Sequence, residues 1–288
     1  MTKLVLRGIR LNVKVIGHGY PLVLMHGGPG ADLNSMMSLK PLADRFTLVF
    51  YDHRCNGRSE GADVSTLTWE NLTADADALR ARLGFEKWAV LGHSFGGYVA
   101  LEYALRFPDR LSHLVLLNTG GDHRWAQEKT PETLAKLGFG PETGRLAQRF
   151  LNGRIEPGEM FPDLMKLGSA YTYHVGIRQA PHMLLAGLQT RLRPEALIYA
   201  AGHLLRGWSA LDRLNRIRVP TLILAGRYDF IYPPEAQAEL AGGIPDSRLV
   251  LIDRARHSPH EERPAEVVRA IRDFLETERA GLTYARLS

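Results

Sequence analysis

Ser94 lies in a segment whose residue types and order suit nucleophilic chemistry. The run Gly92-His93-Ser94-Phe95-Gly96-Gly97 follows an apolar stretch, Trp88-Ala89-Val90-Leu91, and precedes a helical pattern from Tyr98 to Leu105. Strand, sharp turn and helix in that order lift a serine hydroxyl to the apex of a strained turn. The small residues two before and two after the serine let strand and helix approach without side-chain clash. Gly-rich turns often produce a Gly-x-Ser-x-Gly match by chance, so the flanking pattern carries the reading. A second segment supports it: the apolar run Leu22-Val23-Leu24-Met25 passes straight into His26-Gly27-Gly28-Pro29-Gly30, a loop that leaves backbone N–H groups open.

These residues resemble the α/β-hydrolase superfamily, and within it the proline iminopeptidase branch, whose hallmark is His-Gly-Gly-Pro-Gly ahead of the nucleophile elbow. The resemblance covers nearly the whole chain. It continues at Tyr51-Asp52-His53-Arg54-Cys55-Asn56-Gly57-Arg58-Ser59, which is similar to the family's Asp-x-Arg-Gly-x-Gly-x-Ser loop, with Cys55 in place of a glycine. That departure bears on a turn rather than on the chemistry. The resemblance implies an α/β-hydrolase fold, a doubly wound and mostly parallel sheet with an inserted helical cap.

A serine hydroxyl is a weak nucleophile at neutral pH, so a histidine base and a carboxylate that fixes its tautomer are required. The fold implies the order serine, acid, histidine. Val219 to Ala225 reads as a strand ending at Gly226-Arg227-Tyr228-Asp229, which makes Asp229 the acid. Arg248 to Ile252 is a further strand, followed by Ala255-Arg256-His257-Ser258-Pro259-His260-Glu261-Glu262-Arg263-Pro264, which makes His257 the base. Arg256 departs from the glycine usual before this histidine, whereas Glu262-Arg263-Pro264 agrees with the family's Glu-x-Pro. His260 is the rival, at an offset that does not fit. The backbone N–H groups of Gly28 and Phe95 are the expected oxyanion donors, the latter at a helix N-terminus that favours negative charge. The expected course is attack by Ser94 on a carbonyl carbon, an acyl-enzyme, and its release by water activated through His257.

The elements that must position these residues alternate. Strands are predicted over Asn12–Ile16, Leu22–Met25, Thr47–Tyr51, Trp88–Leu91, Leu114–Leu117, Thr221–Ala225 and Arg248–Ile252. Helices are predicted near Trp69–Leu83, Phe95–Phe107, Pro234–Leu240 and Ala265–Arg279. This predicts a parallel sheet with its ligand crevice at the strands' carboxyl ends. The 288 residues suffice for one core with an insertion.

The alternation stops between Gly121 and Ala210, so residues 1–120 and 211–288 are expected to form the core and 121–210 the cap. Trp125, Phe139, Met183, Tyr199 and Trp208 are candidates to line a substrate pocket. A prolyl aminopeptidase must also capture a free ammonium, for which Glu128, Glu132, Glu142, Glu156, Glu159 and Glu195 are the cap carboxylates available. The Glu-Asn-His-Tyr stretch of many proline iminopeptidases is missing, and Leu184 to Pro194 is apolar and basic instead. An esterase or lactonase, such as one hydrolysing acyl homoserine lactones, therefore stands beside the aminopeptidase. A carbon–carbon bond hydrolase and a non-catalytic ligand-binding member of the fold are the remaining alternatives. Dehalogenases and epoxide hydrolases place an aspartate where Ser94 stands and are set aside.

Net charge is +5, but no Lys/Arg run exceeds two, so neither nucleic acid nor an anionic membrane is an expected partner. The expected partner is a small ester, lactone or short peptide. No metal-ligand spacing and no nucleotide fingerprint appears, and no cofactor is expected. Cys55 is the one cysteine, and the amino-terminal residues carry no apolar signal segment, which makes the cytoplasm the expected compartment.

Overall fold

Runs such as Leu22–Met25 and Leu114–Leu117 are apolar at every position, a pattern that demands a sheet covered on both faces. The computed structural model describes residues 1–61, 63–174, 181 and 187–285. Its sheet contains β1 (Thr2–Leu6), β2 (Ile9–Ile16), β3 (Tyr20–Met25), β4 (Phe46–Tyr51), β5 (Trp88–His93), β6 (Leu111–Leu117), β7 (Thr221–Gly226) and β8 (Ser247–Ile252), in the order β1-β2-β4-β3-β5-β6-β7-β8. From β4 through β8 every neighbouring pair is parallel, while β2 runs antiparallel to both β1 and β4. The fold class is the α/β-hydrolase fold expected from the sequence. The first strand was not expected: of its five residues only Leu6 is buried, so an edge strand with a mostly exposed face gave no hydrophobic signal.

Side chains alternate across the sheet and feed two separate cores. Val23, Met25, Val90 and Leu114 face one core with α1 (Trp69–Arg82) and α2 (Phe95–Arg106). Leu22, Leu24, Leu91 and Val115 face the other, where the 3₁₀ turns of Leu33–Asp44 and the carboxyl-terminal helix Pro264–Ala285 cover them with Leu39, Val267 and Ile271. The chain moves outward from β3 to β4, then returns to place β5 on the other side of β3, and such a reversal opens a crevice at the strands' carboxyl ends.

Between β6 and β7 the chain forms mainly helices, among them α3 (Thr130–Lys136), α4 (Pro141–Leu151) and α5 (Met160–Tyr171). The outgoing and returning chains run side by side at a neck, where Asp122 bridges Ser209 and the Ala210 N–H donates to the Gly121 carbonyl at 2.8 Å. Pro131 and Pro141 occupy first-turn positions of α3 and α4, where a missing N–H costs no helical bond. Among the described residues no helix is long and apolar enough to cross a membrane.

Candidate active site

Ser94 connects β5 to α2 with φ 50 and ψ −117, a conformation that non-glycine residues seldom adopt. The neighbouring glycines make this geometry possible. A Cβ on Gly92 would lie 2.3 Å from the Gly96 carbonyl oxygen, and one on Gly96 would lie 2.1 Å from that of Met25. The turn is held by the Ser94 N–H donating to the Leu117 carbonyl at 3.0 Å and the Thr119 hydroxyl donating to the Ser94 carbonyl at 2.9 Å.

The ends of β7 and β8 bring Asp229 and His257 to this serine. His257 Nε2 lies 3.0 Å from Ser94 Oγ, and its Nδ1 lies 3.0 and 3.1 Å from the two Asp229 oxygens. A carboxylate accepting from Nδ1–H leaves Nε2 with a lone pair toward the hydroxyl, the arrangement a general base needs. Asp229 is itself oriented. The Ile231 N–H donates to Oδ1 at 2.8 Å and Asn118 Nδ2 donates to Oδ2 at 2.8 Å. Both Asp229 and His257 are buried, and the rings of Tyr171, Phe230 and Tyr232 surround the imidazole at 5.6 to 6.4 Å. His260 takes no part in this arrangement: its Nε2 bonds the Ser35 carbonyl at 2.9 Å, and burial lowers its pKa to about 4.

Gly28 and Phe95 line the same pocket as Ser94. Gly28 has φ +60, and the Ala31 N–H donating to its carbonyl at 2.9 Å closes the turn. Phe95 is the first residue of α2, where backbone N–H groups lack helical partners and offer donors to an anion.

The pocket encloses about 200 Å³. Its far wall is aliphatic: Leu151 of α4, Met160 and Leu164 of α5, and Leu197, Ala201 and Leu205 of the returning chain. Trp125, Phe139, Tyr199 and Trp208 do not line it. Trp208 sits one layer behind, its ring 4.3 Å from Tyr98 and its N–H donating to Glu102 at 2.9 Å. Trp125 donates to Glu239, Tyr199 packs on His203, and Phe139 lies under Arg256. Met183 lies outside the described residues. Ring size in a sequence does not reveal which face of a helix turns inward, and leucines took the positions these rings were expected to hold.

The six carboxylates expected in a cap are also elsewhere: Glu132, Glu142, Glu159 and Glu195 pair with Lys136, Arg145, Arg149 and Arg193. Glu156 belongs to a capping turn with Glu159, and Glu128 lines a separate outer groove. No Asp or Glu lines the pocket among the described residues, and the stretch 175–186 contains none in its sequence.

Sequence reasoning missed polar residues that line the pocket, Tyr98, His123 and Tyr232. Tyr98 Oη lies 3.0 Å from His123 Nδ1 and is hydrogen-bonded to the Tyr232 hydroxyl. Burial lowers the His123 pKa to about 4 and raises that of Tyr98 well above a phenol's usual value. Asn118 was missed too, although an Asn directly after a strand is a signal for a left-handed turn, and it has φ 44. Among the described residues no three His, Cys, Asp or Glu side chains form a group that could hold a metal ion.

Comparison with known proteins gives the following likenesses. The family pattern of the alpha/beta hydrolase fold matches residues 20–264. The proline iminopeptidase PfmaB of Pestalotiopsis fici is 30% identical over 295 residues, covering 94% of this chain and 98% of that protein. A solved thermophilic esterase from Thermogutta terrifontis is 26% identical with a TM-score of 0.70, covering 96% of this chain and 98% of that one. The proline iminopeptidase of Mycobacterium smegmatis superposes with a TM-score of 0.79 over 98% of this chain and 99% of its own, at 24% identity, a likeness of fold.

Proposed function

The chain belongs to the α/β-hydrolase fold family and is a hydrolase, and from that premise we propose that it is a serine hydrolase acting on small esters or lactones with an apolar acyl group. The observation that carries the reading is the hydrogen-bonded line Ser94–His257–Asp229 opening on a pocket walled mainly by aliphatic and aromatic side chains. His257 takes the Ser94 proton as Oγ attacks the carbonyl carbon, and Asp229 stabilises the imidazolium. The Gly28 and Phe95 N–H groups hold the oxyanion, a term worth roughly a hundred- to a thousandfold in rate per donor. The protonated histidine then gives its proton to the leaving group, and water activated by the same imidazole releases the acyl group. We read residues 121–210 as a cap that excludes bulk water from this step.

Cleavage of amino-terminal prolyl peptides is the second reading, favoured by the near full-length likeness to a proline iminopeptidase. Against it stands the lack of a carboxylate among the described residues that line the pocket. An ammonium taken from water into apolar surroundings without a partner is strongly disfavoured.

The test is a parallel assay on p-nitrophenyl acetate and butyrate, an acyl homoserine lactone and proline p-nitroanilide. Ester or lactone turnover is expected to dominate and to fall by at least about ten-thousandfold in Ser94→Ala. Strong Ser94-dependent anilide cleavage with weak ester turnover would reverse the two readings. Turnover that survives the substitution would remove Ser94 from the nucleophile's role.

A further inference from the structure

Arg256 precedes His257 and reaches away from it into the helices that wall the pocket. Its guanidinium carbon lies 4.8 Å from the Phe139 ring centroid and 5.7 Å from that of Tyr173. One terminal nitrogen donates to the carbonyls of Ser169 and Thr172, at 3.4 Å in the second case. These two carbonyls belong to the last turn of α5 and its exit, so one side chain joins the end of α5, by charge-assisted hydrogen bonds and the Tyr173 ring, to Phe139 in the turn between α3 and α4.

The backbone of Arg256 is fixed from the other side. Its N–H donates to Glu262 Oε1 at 2.8 Å, and its carbonyl accepts from Asn118 Nδ2 at 3.0 Å, the same amide group that donates to Asp229. Nearby contacts join the same two segments. The His257 N–H donates to the Tyr171 carbonyl at 3.2 Å, and the Tyr173 N–H donates to Glu262 Oε2. The loop is therefore rigid independently of the Arg256 side chain, whereas α5 relies on that side chain for part of its seat. Met160, Leu164 and Tyr171, all on α5, line the pocket. A contact that seats α5 therefore sets how deep and how narrow the pocket is.

We propose that Arg256 is a positioning residue that docks α5 on the His257 loop and thereby fixes the pocket's selectivity for acyl length. The proposal rests on the serine-hydrolase reading. Arg256 stays out of contact with the reacting atoms, and its loss should alter binding of long chains while sparing the chemistry at Ser94.

Labelling of Ser94 by a short and a long alkyl fluorophosphonate separates these effects, because half-saturating concentration and limiting rate are read independently. In Arg256→Ala the half-saturating concentration of the long probe is expected to rise about 5- to 20-fold, with limiting rates for both probes within about threefold of wild type. Arg256→Lys keeps a cation between the rings but loses the planar fork, so an intermediate shift is expected. Phe139→Leu, which leaves the loop untouched, is expected to move the long probe in the same direction. An unchanged long-probe profile in Arg256→Ala, or a parallel loss of limiting rate for both probes, overturns the proposal. If Arg256→Ala does not fold, an unchanged profile in Phe139→Leu overturns it. A wild-type chain unreactive to both probes overturns the serine-hydrolase reading, and the proposal with it.

Discussion

Cys55 is buried with φ 60, the left-handed region that an L side chain enters at a cost of about 1–2 kcal/mol. Its thiol lies 3.5 Å from the Asp63 carbonyl and 3.6 Å from the Thr66 hydroxyl, contacts that offset part of that strain. Cys55→Gly relieves the strain and loses the small packed group, so urea unfolding is expected to shift by less than about 1 kcal/mol with activity retained. Cys55→Val adds a β-branch to a left-handed residue and is expected to destabilise by about 2 kcal/mol or more. If the valine variant matches wild type, the backbone there is less constrained than φ 60 implies. The loop's unusual residue was visible because the resembling family has a glycine where Cys55 stands. Ser94, Asp229 and His257 were visible because each follows an apolar run read as a strand, in the order serine, acid, histidine that the family resemblance implies. Tyr98 and His123 were not, since their partners come from distant segments of the chain, and the place of Asn118 after a strand signals a turn without naming Asp229 as the group its amide holds.

Elements were readable in proportion to their burial. Continuous apolar runs such as Leu114–Leu117 marked the central strands, whereas the exposed edge β1 and the 3₁₀ turns of Leu33–Asp44, with Pro41 inside, lacked either period. The junction of β5 and α2 was readable for a steric reason that can be tested. A methyl at Gly96 would meet the carbonyl oxygens of Met25, paired in the sheet, and of His26 just after it, at 2.1 and 2.6 Å. Gly96→Ala must therefore push α2 away from β3, and a loss of about 3 kcal/mol or more, with activity lost alongside, is expected from urea unfolding and ester assays. Gly202 is the control. Its Cβ would meet nothing within 4 Å, and Ala there is expected to be neutral or stabilising by up to about 1 kcal/mol. Equal tolerance at both sites would mean that helix and strand are not packed as tightly as the elbow requires.

Across the whole molecule, the buried titratable groups fix the direction of pH dependence. Desolvation lowers the pKa of His123 and His260 to about 4 and that of His53 and His93 well below the usual value, so all four stay neutral in the fold. The unfolded chain protonates these rings near pH 6.5, so between about 4 and 6.5 it binds more protons than the fold, and stability falls on acidification through that window. Glu261 acts in the opposite sense: burial, with a smaller contribution from Glu262, raises its pKa to about 7. The fold keeps a proton there that the unfolded chain releases above about 4.5, and stability is lost as pH rises toward 7. Glu262 and Asp122 shift the same way, also mainly by burial. Four histidines outweigh three carboxyls, two of them only modestly raised, so thermal unfolding followed from pH 4.5 to 8 should show a midpoint that climbs to about pH 6.5 and declines slightly beyond. Glu261→Gln removes the ionisation that opposes folding at high pH and is expected to add about 1–2 kcal/mol at pH 8, allowing for its partial exposure, and almost nothing at pH 4.5, where both chains carry a neutral group. A midpoint that is flat or rises on acidification from 6.5 would mean that the interior histidines accept protons within the fold and that burial does not keep them neutral.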